Sequence, residues 1–479
     1  MKDMKDMKDM KDMKDMKDMK DMKDMKDMKE LVGIQRDFYI QGKTKNIAYR
    51  LRYLRRLEVT IHKYEEQIHK ALKMDLNKPE FEAYTTEVGM VLCELRDTIR
   101  NINKWSAPKK VKTTLLQQPA VSRIYSEPYG IALIISPWNY PFQLTMVPFI
   151  GAIAAGNCAM IKLSNDSRYT SIIIEKIIRE VFPSSYVTVV QGGREVNQSL
   201  LEQKFDYIFF TGSTAVGRVV MEAAAKHLTP VTLELGGKSP CIIDETADVK
   251  RAAKRIVWGK FINAGQTCVA PDYVLVHVKV KAELLYYLKK YIIKFYGKQP
   301  HLNEGFPKII NEKHLKRLLR LMAGERIVIG GEVSIEYNRI SPTILDGITW
   351  ESTIMQEEIF GPLLPILVYQ DFNAVITRMQ ELPKPLALYY FTQRNQNAKR
   401  VIHNISYGGG CINDTVMHLA SSSLPFGGVG ESGMGRYHGK ATFDTFSHPK
   451  SILIRSNRFD IPVRFPPYKN HVKLIKKLY

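Results

Sequence analysis

Three side chains stand out as able to do chemistry together: a thiol, a carboxyl and a carboxamide. Cys268 ends the run Asn263-Ala264-Gly265-Gln266-Thr267-Cys268, a small, glycine-containing approach suited to a tight turn that presents a thiol at a pocket. A thiol acts as a nucleophile only where its pKa falls and a substrate can reach it. Otherwise a cysteine is an inert buried hydrophobe, and the turn alone suits both readings. Glu234, in Leu233-Glu234-Leu235-Gly236-Gly237-Lys238, lies at an apolar strand end running into glycines. Burial there raises a carboxyl pKa towards that of a general base, whereas pairing with Lys238 would look identical. Asn139, in Pro137-Trp138-Asn139-Tyr140-Pro141, follows an apolar strand in a rigid loop, where its amide either faces an oxyanion or forms a turn.

Two further segments suit a nucleotide. Phe210-Thr211-Gly212-Ser213-Thr214-Ala215-Val216-Gly217 follows an apolar strand and opens a helix, whose N-terminal N–H groups and dipole favour a pyrophosphate. Its Gly-x-x-x-x-Gly spacing lacks the Lys-Ser/Thr of a P-loop and is not Gly-x-Gly-x-x-Gly, so alone it describes an ordinary strand-to-helix turn equally well. Val216, Val219, Val220, Ala223 and Ala224 are expected to supply that helix's buried stripe. Glu357-Glu358-Ile359-Phe360-Gly361-Pro362 sets carboxylates and an aromatic beside a turn, a combination suited to sugar hydroxyls and a flat ring.

These segments need a scaffold, and the hydrophobic pattern supplies one. Ile47, Leu51, Leu54, Leu57, Ile61, Tyr64, Ile68 and Leu72 recur at three- and four-residue steps, predicting a long amphipathic helix with Arg50, Arg52, Arg56, Lys63 and Glu66 on a solvated face. Residues 104–128 read as an extended arm. From Ile131 apolar strands alternate with helices: strands at 131–135, 158–163, 187–190 and 207–210, with helices between, and a second α/β block over 236–424. That rhythm calls for parallel sheets covered on both faces. The expected division is a tail over 1–30, a nucleotide-binding domain over 31–235 interrupted by the arm near 107–128, a catalytic domain over 236–424, and a returning segment over 425–479.

The 479 residues carry a net charge of +21. Residues 1–30 repeat Met-Lys-Asp, with ten Lys balanced by nine Asp and Glu30, so the charge belongs to the rest of the chain. A triplet period gives a helix no continuous apolar face, and the tail is expected to be disordered. Five scattered cysteines and no Cys-x-x-Cys argue against a disulfide framework and for a reducing, cytoplasmic setting. The eleven His residues show no metal-ligand spacing, so no metal is expected. The longest apolar stretch, Val147 to Ile161, is broken by Pro148, Gly151, Gly156 and Asn157 and falls short of the roughly 20 residues that span a bilayer. The basic charge is spread without a base-reading motif, which argues against nucleic acid. For the basic, apolar end at His471 to Tyr479, packing on a partner subunit is favoured over lying on a membrane.

Together the ordered motifs resemble the aldehyde dehydrogenase superfamily from about residue 45 to 465, and within it the class 3, fatty/aromatic aldehyde branch. To those quoted above are added Val269-Ala270-Pro271-Asp272-Tyr273, Leu424-Pro425-Phe426-Gly427-Gly428-Val429-Gly430, Ser432-Gly433-Met434-Gly435 and Phe443-Asp444-Thr445-Phe446-Ser447-His448. The resemblance implies an α/β fold with a Rossmann-type cofactor domain, an α/β catalytic domain and a small oligomerisation arm. It implies NAD or NADP as cofactor, medium- or long-chain aliphatic or aromatic aldehydes as substrate, and a homodimer. It assigns Cys268 as nucleophile, Glu234 as base and Asn139 as oxyanion donor. Gly212, Ser213, Thr214, Ala215, Val216 and Gly217 fall at the pyrophosphate, Lys162 at the adenosine ribose, and Glu358 and Phe360 at the nicotinamide ribose and ring, with Leu235 beside them. One departure is Lys162-Leu163-Ser164-Asn165 in place of the family's Lys-Pro-Ser-Glu. Losing that carboxylate removes an anion that would repel a 2′-phosphate. Two alternatives stand beside this reading: a CoA-acylating relative using the same thiol, and a non-catalytic basic binding protein on the same fold.

Overall fold

The computed structural model describes residues 27–458, 460–468 and 471–476. Helix α1 spans 27–40 and begins inside the Met-Lys-Asp repeat, so the expected disordered tail gives way to helix at residues 27–30; residues 1–26 lie outside the described residues. The cause is docking: Val32, Gln35 and Phe38 are buried, and Gln35 Nε2 donates to the Ala159 carbonyl at 2.8 Å. A helix nucleated on a packed face extends backwards residue by residue at little further cost.

Helix α2 (Ile47–Leu76) starts at Asn46, whose side chain accepts from the Ala48 and Tyr49 amides. Leu54, Leu57, Ile61, Ile68 and Leu72 form its buried face. Arg50 departs from the expected solvated face. It is buried and donates to the carbonyls of Thr44 (2.6 Å), Lys45 (2.8 Å) and Ala154 (2.8 Å), terminal carbonyls that need a donor. Helix α3 (Gly89–Ser106) leads into the arm, strands β1 (Lys109–Val111) and β2 (Ala120–Pro128).

The first α/β unit runs β3 (Ile131–Ile135), α4 (Gln143–Ala155), β4 (Cys158–Lys162), α5 (Arg168–Val181), β5 (Val187–Val190), β6 (Tyr207–Thr211), α6 (Thr214–Ala225) and β7 (Val231–Glu234). Every residue of β3, β4 and β6 is buried, as a parallel sheet covered on both faces requires. β3 pairs in parallel with both β4 and β6. Strand order therefore reverses between β3 and β6, and ligands of open α/β sheets bind beyond the strand ends at such a point. Asn139 follows β3 there, and Gly212 follows β6.

The second unit holds β8 (Pro240–Ile243), α7 (Val249–Phe261), β9 (Tyr273–His277), α8 (Glu312–Met322), β10 (Arg326–Ile329), β11 (Thr343–Asp346), β12 (Leu363–Tyr369), β13 (Ala387–Phe391) and β14 (Gly409–Ile412). Its sheet has the order β10-β11-β12-β9-β8-β13-β14, parallel except for the edge strand β10. The chain then returns: β15 (Gly433–Met434) adds antiparallel to β7, pairing Gly433 with Glu234. Finally β16 (Ser447–Arg455) lies antiparallel on β2 and completes a three-stranded arm sheet, β1-β2-β16. No described helix is long and apolar enough to cross a membrane.

Candidate active site

A cavity of about 310 Å³ opens at the switch point between the two sheets. Asn139, Gly212, Ser213, Glu234, Leu235, Cys268, Glu358 and Phe360 all line it, though they come from segments far apart in sequence. Thr214 lines an adjoining cavity that shares Gly236 and Glu358 with the first. Ala215 and Val216 continue into helix α6, while Lys162 sits at the end of β4 and lines neither cavity.

Cys268 is half-buried, unlike Cys158 and Cys241, which are sealed within strands. Burial, with Glu358 and Glu234 nearby, pushes its thiol up to about 12, the reverse of the lowered pKa expected of a reactive thiol, and hydrogen bonding from the Cys268 and Val269 main-chain N–H groups opposes this only in part. The turn before it is strained. Asn263 and Ala264 both adopt the left-handed conformation (φ 51°), followed by Gly265 at φ 74°. Only glycine suits the third position, where a side chain would overlap the Gly361 main chain.

Glu234 is 2% exposed, and neither carboxylate oxygen has a hydrogen-bond partner. Burial therefore holds its pKa well above the ordinary 4.5. The pairing with Lys238 that the sequence left open does not form. Lys238 Nζ instead binds Asp272 (2.7 Å) and the carbonyls of Ile354 (3.0 Å) and Glu357 (2.8 Å). Asn139 is buried, and its Nδ2 donates to the Gln266 carbonyl at 3.1 Å. A carboxamide carries two N–H donors, so the second is free for a substrate oxygen.

The nucleotide segments fit a dinucleotide. Helix α6 is capped by Ser213, whose side chain takes the Val216 amide, so the amides of Thr214 and Ala215 at its start remain available to an anion. Its buried face differs from the expected stripe: Gly217, Val220 and Ala224 face inward, while Val216 and Val219 are 48% and 54% exposed. Gly217 sets this rotation, because it packs so closely on Leu235 that a side chain there would overlap it. Gly236 similarly leaves room for Glu358, whose carboxyl burial and Asp272 push up to about 8. Phe360, left-handed at φ 48°, meets Trp138 edge-on at 5.4 Å. Burial lowers the Lys162 ammonium to about 8, and its Nζ donates to the Leu163 carbonyl at 2.6 Å.

The sequence reading missed His314 and Arg317, which line the same cavity from α8. Arg317 braces the Glu358 and Ile359 carbonyls at 3.0 and 2.5 Å. No linear motif marks either residue; only the amphipathic period of α8 hints at them. Among the described residues, no group of three or more His, Cys, Asp or Glu is close enough together to hold a metal ion.

The model of the aldehyde dehydrogenase family matches residues 18–452. The chain is 49% identical to the 4,4'-diaponeurosporen-aldehyde dehydrogenase of Staphylococcus aureus, covering 92% of this chain and 97% of that one. It is 45% identical to the mouse aldehyde dehydrogenase family 3 member B1, covering 91% and 93%. A solved structure, the substrate-bound state of Staphylococcus aureus AldH, superposes with a TM-score of 0.92 at 48% identity, over 94% of this chain and 98% of that chain. With a family match spanning both sheets and relatives at 45–49% identity over nine-tenths of the chain, the chain belongs to the aldehyde dehydrogenase family, enzymes that oxidise aldehydes with NAD or NADP.

Proposed function

We propose that Cys268 is the nucleophile, Asn139 the oxyanion donor and Glu234 the general base of this oxidation. The observation that carries the assignment is their convergence on one cavity, with Glu234 unpartnered and Asn139 holding one free N–H. The small fraction of Cys268 ionised by loss of its proton to solvent attacks the aldehyde carbonyl as thiolate, and the oxyanion that forms is held by Asn139 Nδ2 and the Cys268 main-chain N–H. A bound oxidised nicotinamide would supply the hydride acceptor that lets this adduct collapse to a thioester. Glu234, once ionised, removes a proton from the water that hydrolyses the thioester to the carboxylic acid. The α6 N-terminus would hold the pyrophosphate, Lys162 the adenosine ribose, and Glu358 and Phe360 the nicotinamide end.

Trp138, Leu144 and Phe360 on the cavity wall favour medium- or long-chain aliphatic or aromatic aldehydes over small polar ones. We read 31–235 as the cofactor domain and 236–424 as the catalytic domain. The exposed Ile452, Leu453 and Ile454 on edge strand β16 support a homodimer, which Leu453→Lys should dissociate in sedimentation. Five free cysteines fit a cytoplasmic setting. A panel of aldehydes assayed with NAD and NADP separately tests the substrate reading. Cys268→Ala should abolish turnover throughout; undiminished aldehyde-dependent reduction would remove Cys268 from its role.

A further inference from the structure

Below the active-site floor lies a buried ion pair that the reaction scheme does not use. Lys78 and Glu87 have fully buried side chains and bind each other. The Lys78 ammonium also donates to the Asn139 main-chain carbonyl at 3.0 Å and stands 3.9 Å from the centre of the Tyr140 ring. The second Glu87 oxygen accepts the Phe142 and Gln143 amides at 3.0 and 2.9 Å, fixing the start of α4 just after the Asn139 loop.

The same Asn139 carbonyl receives Asn263 Nδ2 at 2.8 Å, and the Asn263 amide is held by Glu82 Oε1 at 2.6 Å. Asn263 opens the left-handed turn that leads to Cys268. Two more ties join the loops: Asn139 Nδ2 to the Gln266 carbonyl, and Tyr140 Oη to Thr267 Oγ1 at 2.6 Å. Two of these three ties are made by Asn139 itself, one of them on the same carbonyl oxygen to which Lys78, the charged donor of the set, also donates.

A buried pair of charges is an expensive way to fill space, and apolar residues of similar volume commonly serve stability as well or better. What an apolar pair lacks is a strong donor for a carbonyl. We propose that Lys78, neutralised by Glu87, is a positioning residue: through the Asn139 carbonyl it holds the Asn139 amide in register with the Cys268 turn. The proposal rests on the reading of Asn139 as oxyanion donor. Glu82 secures the same register from the other side by holding Asn263.

Two probes separate positioning from simple bracing, both in the full-length enzyme without cofactor. Acylation of Cys268 by p-nitrophenyl acetate needs the oxyanion donor; alkylation by iodoacetamide does not. Asn139→Ala should slow acylation about 100-fold. Lys78→Met should slow it about 10-fold while alkylation stays within about threefold of wild type. In the Asn139→Ala background, adding Lys78→Met should change acylation by less than about threefold, because the two side chains act through one interaction. If Lys78→Met does not fold, the neutral double variant Lys78→Met/Glu87→Gln takes its place with the same expectations. Parallel loss of acylation and alkylation, or an undiminished Lys78 effect in the Asn139→Ala background, overturns the positioning role. So does wild-type acylation by the Lys78 variant where Asn139→Ala is slow. Wild-type acylation by Asn139→Ala itself brings down the oxyanion reading, and the proposal with it.

Discussion

The Gly212 amide donates a 3.0 Å hydrogen bond to the main-chain carbonyl of Glu234. The turn suited to a pyrophosphate and the carboxyl suited to a base are thereby fastened at the neighbouring ends of β6 and β7, and Gly433 of β15 pairs with Glu234 from the other side. The Glu234 backbone is held on both edges, while its carboxyl is left without a partner.

That contrast sets the first expectation. Glu234→Gln keeps size and backbone pairing but removes the base, so thioester formation proceeds and hydrolysis stalls. Steady-state turnover should fall about 100-fold or more, the range of a general base. A rapid-mixing trace should still show a first-turnover burst of reduced nicotinamide. Loss of the burst as well would place Glu234 before the thioester and not after it.

The same substitution should stabilise the protein, increasingly so at higher pH. The folded-state pKa of Glu234 is raised by burial, so the neutral form is favoured by folding. The benefit is whole below the ordinary value of 4.5 and is lost as pH rises towards the folded pKa, whereas glutamine does not titrate. The melting temperature of Glu234→Gln should exceed that of wild type by about 2 °C or more near pH 8, with the gap closing towards about pH 5. A gap independent of pH would mean that the carboxyl is not buried as its neutral form.

Cys268 supplies a second titration. With its thiol pushed up to about 12, the free enzyme holds little thiolate at neutral pH. Alkylation by iodoacetamide should therefore rise about tenfold per pH unit between about pH 7 and 9, with no plateau. Cys268→Ala identifies the modified residue. A plateau near pH 8 would show a thiol already activated without cofactor.

Much of this architecture can be read from periodicity, because β3, β4 and β6 are buried on both faces and read as unbroken apolar runs. Where the reading went astray, a tertiary neighbour decided. The apolar letters of α6 do not reveal that Gly217 against Leu235 turns Val216 and Val219 outward. Arg50 looks solvated until Thr44, Lys45 and Ala154 bring three carbonyls to it. Cys268, Glu234 and Asn139 stand in motifs a reader can find, whereas Lys78, Glu82 and Glu87 carry no linear signal, since the backbone groups they hold, at Asn139, Asn263, Phe142 and Gln143, lie in other segments. Lys238 shows the opposite case: Glu234 is its neighbour in sequence, but the fold gives it Asp272.

The remaining expectation concerns the cofactor's adenosine end. Asn165 is exposed two residues beyond Leu163, where the family's pattern places a glutamate, and its Nδ2 lies beside Gly193 at the start of the helix Arg194–Leu201. A carboxylate there would accept a hydrogen bond from a ribose 2′-hydroxyl and repel a 2′-phosphate. The amide does neither strongly, so the chain should use NAD and NADP with comparable KM. Asn165→Glu should raise the KM for NADP about 10-fold or more and leave that for NAD within about threefold, since one added charge facing a doubly charged phosphate at an exposed site is worth roughly 1–2 kcal/mol. Both constants come from initial rates with the aldehyde saturating. If wild type already rejects NADP, the loss of the carboxylate is compensated elsewhere. If the substitution moves both constants together, position 165 touches the cofactor without reading its 2′ position.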